Sequence, residues 1–265
     1  MANVWLWNII ALCVLITGKF CQTDFHDLYN FFYKEIGCVE YDKNGAFHCP
    51  EYPSKNGSCR FLNQYVPSGE KIDQELLKGS CIPECICGED GHFICPGTDC
   101  GLLSKEGCHS RNSLDTCCPE GLVCGDDIAK CEVEGKTYKE GEKFYLEKSC
   151  EVCVCDKGFK KGSPFCRPRK CNLEINRLYE LADHDAPVYL KDDICCPTTW
   201  IKNEGEDELI TIIADLGKEA CKFGTRDIIM GQGFRRNISR FGTEMTVKCL
   251  CNTPPFVICR EEVTK

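Results

Sequence analysis

Cysteines recur along this chain in a fixed rhythm, and the rhythm has three beats. Blocks begin at Cys59, Cys131 and Cys221, and each places a glycine ten residues on, at Gly69, Gly141 and Gly231. Each block then reaches a C-x-C pair, at Cys85/Cys87, Cys153/Cys155 and Cys249/Cys251, followed by a further cysteine at Cys95, Cys166 and Cys259. The first two continue in parallel, with Cys100 and Cys171 and then Cys-Cys-Pro at Cys117, Cys118, Pro119 and Cys195, Cys196, Pro197. The third stops before either feature. Such self-similarity marks an internal repeat of small modules built to one plan.

With 26 cysteines in 265 residues, the chain has the density of a disulfide scaffold and belongs to an oxidising compartment. Residues 4–16 (VWLWNIIALCVLI) form an apolar run too short to span a bilayer and suited to a signal-peptide core. A signal peptide over 1–21 is expected, cut after Gly18 or after Cys21. No comparable run follows, so no membrane span is expected and the protein reads as secreted.

The fold class expected is small and disulfide-rich: tandem modules with short antiparallel sheets, irregular loops and little helix. Tyr138, Gly141, Phe144 and Tyr145, like Tyr65, Gly69 and Ile72, sit among polar residues as in short half-exposed strands. One helix is expected from Thr23 to Ile36. There Phe25, Leu28, Tyr29, Phe32 and Ile36 recur at helical spacing, with Thr23 to cap and Gly37 to terminate. Its apolar stripe is expected to pack on the first repeat, with a partner-binding helix as the alternative. The acidic stretch from Asn203 to Ala220 reads as a linker whose Leu209 to Ile213 core is a strand or a helix turn.

A net charge of -9 disfavours nucleic acid and other polyanions as general partners. Basic clusters at Lys157 to Lys170 and at Arg235 to Arg240 read as solvated loop faces, or as local attraction for an acidic glycan or protein.

The run at Cys150, Cys153 and Cys155, with Cys166, Cys171 and the Cys-Cys-Pro at Cys195, resembles the von Willebrand factor type C domain, as found in chordin-like and secreted arthropod cysteine-rich proteins. Residues 59–124 then form a first repeat with ten cysteines, departing from the pattern by one inserted residue between Cys81 and Cys85. Residues 131–197 form a second repeat with eight. After an acidic linker at 198–220, residues 221–260 form a half repeat with four, and residues 22–58 lead in. The resemblance implies the pairs Cys59–Cys87, Cys81–Cys117, Cys85–Cys95, Cys100–Cys118 and Cys108–Cys124 in the first repeat. In the second it implies Cys131–Cys155, Cys150–Cys195, Cys153–Cys166 and Cys171–Cys196, and in the half repeat Cys221–Cys251 and Cys249–Cys259. Cys13, Cys21, Cys38 and Cys49 remain. Cys38 and Cys49 flank a turn-like Asp42-Lys43-Asn44-Gly45 and are expected to bridge. Cys13 is expected to leave with the signal core, and Cys21 either leaves too or stays as a free thiol or an intermolecular bond.

C-x-C clusters can hold zinc, yet complete pairing would leave no thiolate for a metal or for nucleophilic catalysis. No H-E-x-x-H or G-x-S-x-G occurs, so neither a cofactor nor an enzymatic function is expected. The sequons at Asn56 and Asn237 are candidate glycosylation sites in expected loops. The resemblance implies an extracellular protein ligand, a growth factor of the bone morphogenetic protein or transforming growth factor-beta type. It would be held by the Cys59 to Cys95 region with the aromatic lead-in Phe25, Phe32, Tyr41, Phe47 and Tyr52, since aromatics are enriched at binding hot spots. The alternatives are a matrix component or secreted immune-type signal, and a protease inhibitor presenting a rigid loop.

Overall fold

The computed structural model describes residues 28–40, 47–52, 57–62, 64–146, 149–191, 193–205, 207–212 and 219–262. The expected signal peptide, Cys13, Cys21, Thr23, Phe25, Tyr41, the turn at 42–45 and Asn56 lie outside them. The chain divides into two units. One gathers Met1–Pro50, Asp183–Lys191 and Pro197–Lys265; the other gathers Glu51–Ala182 and Asp192–Cys196.

The protein is disulfide-rich, with short antiparallel sheets and little helix. In chain order come helix α1 at residues 28–35, then β1 (Val39–Glu40), β2 (Phe47–His48), β3 (Cys59–Phe61), β4 (Gln64–Val66) and α2 (Gln74–Leu77). The first repeat continues with β5 (Ile86–Cys87), β6 (Phe93–Ile94), β7 (Cys108–Arg111) and β8 (Gly121–Cys124). The second holds β9 (Lys130–Val133), β10 (Lys136–Lys139), β11 (Lys143–Leu146), β12 (Glu151–Val154), β13 (Cys166–Pro168), α3 (Leu173–Asn176) and α4 (Leu178–Ala182). Then follow β14 (Ala186–Tyr189), β15 (Thr199–Ile201), β16 (Glu208–Thr211), β17 (Ala220–Phe223), β18 (Arg226–Ile229), β19 (Gln232–Arg240), β20 (Thr243–Leu250) and β21 (Ile258–Glu261).

The recurring glycine has a structural cause. Gly69, Gly141 and Gly231 hold φ of 83°, 83° and 86°, a left-handed conformation that only glycine adopts without penalty. In that conformation each N–H donates to the carbonyl of the second cysteine of its C-x-C pair: Gly69 to Cys87 (2.8 Å), Gly141 to Cys155 (2.7 Å) and Gly231 to Cys251 (2.8 Å). Those cysteines are bonded in turn to the cysteines that open each block, Cys59, Cys131 and Cys221. One bend and one bridge therefore close the same small ring three times.

Among the described residues the structure joins all twelve pairs named above. Strand register accounts for several. Cys153 stands directly opposite Cys166 on β12 and β13, and Cys249 opposite Cys259 on β20 and β21, with Cα atoms 4.1 and 3.9 Å apart. Such close opposed pairs suit a cross-strand disulfide.

In the first unit, a six-stranded sheet runs in the order β15-β14-β21-β20-β19-β16. Only the β14–β21 pairing is parallel. Val188, Phe234, Val247, Cys249 and Cys259 pack with Phe223 and Ile228 of the β17–β18 hairpin in one apolar cluster. Because side chains alternate along a strand, Ile201 joins that cluster while Trp200 points to the other face. There Trp200 meets Phe32 of α1, ring centroids 6.2 Å apart.

That placement corrects the expectation for the N-terminal helix, which packs on the third block. Leu28, Tyr29, Phe32, Tyr33 and Ile36 are all buried. Phe32 stands edge-on to Phe256 at 5.3 Å. The Tyr29 hydroxyl donates to the Leu250 carbonyl and accepts from the Asn252 N–H (3.1 Å). The Tyr33 hydroxyl donates to the Thr253 carbonyl (2.5 Å) and accepts from the Phe256 N–H (2.9 Å). Helix α1 thus supplies apolar cover and polar partners for the loop of the third block. Gly37 (φ 70°) ends the helix, with the Cys38 N–H bonded to the Tyr33 carbonyl at 2.8 Å.

Two boundaries and the setting of one sequon also differ from expectation. Residues Asp183–Lys191, within the second repeat by sequence, contribute β14 to the third block's sheet, where Val188 pairs with Cys259. The stretch read as a linker supplies β15, and its core at Leu209, expected as a strand or a helix turn, is the strand β16. The side chain of Asp207 is 4% exposed and ion-pairs with Arg226 (2.6 Å) and Arg236 (2.8 Å), which gives this acidic residue a structural place. Asn237 lies within β19 rather than in a loop, exposed, its side-chain Oδ1 accepting from the Thr246 hydroxyl at 2.7 Å.

Candidate interaction surface

The first repeat's sheet subdomain lies in the second unit. Cys59, Phe61, Val66, Ile72, Leu77, Cys85 and Cys87 form its interior. Alternation turns the residues between them outward. Tyr65, paired with Arg60 across the β3–β4 hairpin, is 64% exposed, and Ile94, paired with Ile86, is 67% exposed. Tyr179 of α4, 65% exposed, stacks on His92 with ring centroids 4.4 Å apart. The His92 Nδ1 lies 3.4 Å from the Asp90 carboxylate.

A buried polar cluster holds this hairpin in place. Glu174 of α3 is 1% exposed. Its carboxylate accepts from the Tyr52 hydroxyl (3.0 Å) and from the Leu62 N–H, and it lies 3.5 Å from the Arg60 guanidinium. Arg60 also donates to the Tyr52 hydroxyl at 3.3 Å. Burial pushes the Glu174 carboxyl up to about 8, against the pull of the Leu62 N–H, Arg60 and Tyr52. Burial, reinforced by the Glu174 charge, raises Tyr52 well above its usual range. Arg60, cross-strand from Tyr65, is thus held by Glu174 and Tyr52.

Of the aromatic lead-in, Phe32, Phe47 and Tyr52 are among the described residues. Phe32 is 0% exposed within the core of the first unit, and Phe47 stacks on Tyr33 at 4.4 Å. Tyr52 is spent on Glu174. Phe32 is therefore a core ring rather than an exposed anchor, and Phe47 and Tyr52 are engaged with Tyr33 and Glu174; Phe25 and Tyr41 lie outside the described residues. Reading the sequence missed Ile94, His92 and Tyr179 as surface residues. The alternation of Cys59, Phe61 and Val66 with Arg60 and Tyr65 was the signal that could have marked the outer face.

The sulfurs of Cys100, Cys117 and Cys118 lie within 4.8 Å of one another, the spacing of a metal trio. Each is bonded within Cys100–Cys118 or Cys81–Cys117, and a disulfide sulfur is not a thiolate ligand. Of the basic clusters, Arg235 is paired bidentately with Glu262 (2.8 and 3.1 Å) and Arg236 with Asp207. No helix among the described residues is long and apolar enough to cross a membrane.

Compared with known proteins, the chain is 28% identical to mouse extracellular matrix organizing protein FRAS1 over 120 residues, 36% of this chain and 3% of that protein. It is 27% identical to rat chordin-like protein 1 over 133 residues, 43% of this chain and 28% of that protein. Chicken mucin-6 is 24% identical over 136 residues, 46% of this chain and 10% of the relative. The chain thus spans under a third of the length of each of these relatives. No family model matches, and no solved structure matches. The chain is a distant homologue of cysteine-rich secreted proteins, and its disulfide content agrees with an extracellular location.

Proposed function

We propose that this chain acts by binding rather than by catalysis, capturing a growth factor of the bone morphogenetic protein or transforming growth factor-beta type on the outer face of its first repeat. The observation that carries the reading is the exposure of Tyr65 and Ile94 on a subdomain locked by disulfides, with the exposed Tyr179 of the second repeat stacked on its His92. Exposed apolar and aromatic side chains on a rigid support are the usual makings of a hot spot. The distant homology to chordin-like protein 1 supports the ligand class.

Surface plasmon resonance against immobilised growth factors of this class tests it. Tyr65→Ala and Ile94→Ser should each weaken binding about tenfold or more, the usual scale of a hot-spot residue. Absence of binding across the class defeats the proposal. The homology to a matrix organizing protein supports a second reading, a matrix component; retention on a cell-derived matrix without growth-factor binding would favour it.

A further inference from the structure

The basic run in the second repeat divides into residues the fold uses and residues it leaves free. Arg167 donates to the Lys78 carbonyl (2.7 Å), Lys170 to the Leu76 carbonyl (2.8 Å), and Arg169 pairs bidentately with Asp193 (2.8 and 2.9 Å). Lys160 and Lys161 do nothing comparable. Both are exposed, and among the described residues neither enters an ion pair or a hydrogen bond of side chain or backbone.

These two lysines sit side by side in the loop joining β12 to β13, and that loop is held in shape from within. Cys153–Cys166 closes its base. The Val154 N–H bonds to the Phe165 carbonyl (3.0 Å), and the Phe165 and Cys166 N–H groups both bond to the Gly162 carbonyl (2.9 Å each). Phe159 turns inward, its ring 5.7 Å from Phe144 and 5.5 Å from Phe165, and packs against the apolar cluster of the second repeat. The outcome is an anchored loop with an unbonded backbone segment and two long cations at its exposed edge.

We infer that this loop is a docking element for a trypsin-like serine protease, which it engages as a substrate-like inhibitor. Such proteases bind an extended backbone in the cleft and seat a Lys or Arg side chain on an acidic group at the base of the specificity pocket. Lys160 and Lys161 offer the side chain, and their unpaired N–H and C=O groups offer the backbone. A loop already ordered by its bridge and by Phe159 loses little entropy on docking, which favours tight binding. If the peptide bond after either lysine is hydrolysed, one water is consumed and a carboxylate and an ammonium are formed. Cys153–Cys166 and the β12–β13 pairing keep the two new ends together, so the enzyme holds its product. The inference is independent of the first-repeat surface, and neither reading stands or falls with the other.

The test uses the intact secreted protein and pancreatic trypsin, read by cleavage of a chromogenic lysyl substrate. Saturable inhibition at near-stoichiometric protein is expected, with a loss of at least a hundredfold in Lys160→Ser/Lys161→Ser and little change in Lys157→Ser. The single variants Lys160→Ser and Lys161→Ser assign the anchoring side chain. An unchanged thermal transition in each variant verifies the fold, since these side chains are exposed. Rapid cleavage of the loop without inhibition overturns the inference, as does inhibition that survives the double substitution. Heparin retention that depends on the same lysines, with no effect on trypsin, also overturns it and reassigns the loop to an acidic glycan.

Discussion

The Tyr52 hydroxyl donates a 3.0 Å hydrogen bond to the buried carboxyl of Glu174, 122 residues further along the chain. This contact ties the segment before the first repeat to a helix at the end of the second, and Arg60 and the Leu62 N–H complete it. A carboxyl so placed makes the stability of this unit depend on pH. Its pKa is raised to about 8 in the fold from an ordinary value of 4.5, so the folded state holds the proton over a range where the unfolded chain has released it. Stability is therefore greatest below about pH 4.5 as far as this group is concerned, and falls as pH rises towards 8, by up to about 1.4 kcal/mol per pH unit. Chemical denaturation at pH 5 and pH 8 should show this fall, and Glu174→Gln should flatten it. An equal pH slope in wild type and Glu174→Gln would exclude Glu174 as the source.

The repeat glycines should differ in cost. An added Cβ at Gly69 would meet nothing within 4 Å, whereas at Gly141 it would meet the Arg111 Cα at 3.0 Å and the Val123 Cγ2 at 3.1 Å. Gly69→Ala is expected to lose only the left-handed backbone preference, about 1–2 kcal/mol. Gly141→Ala should lose that and a packing penalty of roughly 1–3 kcal/mol more. Thermal melts of the two variants check the order.

Tyr33→Phe should destabilise the first unit by about 1–3 kcal/mol despite keeping the ring. The hydroxyl serves both the Thr253 carbonyl and the Phe256 N–H, and its removal leaves the buried N–H without its partner. Hydrogen exchange at the Phe256 amide should accelerate. A protection factor that does not move would show that water or another group takes over.

Asp207→Ala should be among the more damaging single changes, on the order of 3–5 kcal/mol, because it leaves the half-buried Arg236 without its carboxylate. It should also free β16 from β19, so that limited proteolysis under non-reducing conditions cuts near Glu208 earlier than in wild type. Equal cutting rates would argue that β16 is held by its backbone pairing alone.

Reduction should abolish the dispersed NMR spectrum, whereas a chelator should leave it unchanged, because small modules of this kind depend on their bridges for stability. Collapse of the spectrum with chelator alone would point to a structural metal.

The amino-acid sequence by itself determined the local geometry of each module. Gly69, Gly141 and Gly231 were legible because a left-handed bend tolerates almost no other residue, and it recurs wherever a C-x-C carbonyl must be met. The outward turn of Tyr65 was written in the two-residue alternation around it. What only the tertiary structure decided is which module each connecting segment serves. The pairing of Val188 with Cys259, the entry of β16 beside β19, and the seating of α1 on Phe256 join residues about 70, 25 and 220 positions apart. No spacing rule links such segments. Their meeting follows from apolar surface and open backbone groups on the half repeat, which find cover wherever the chain can supply it, and the aromatic lead-in was the supply nearest in kind rather than in sequence.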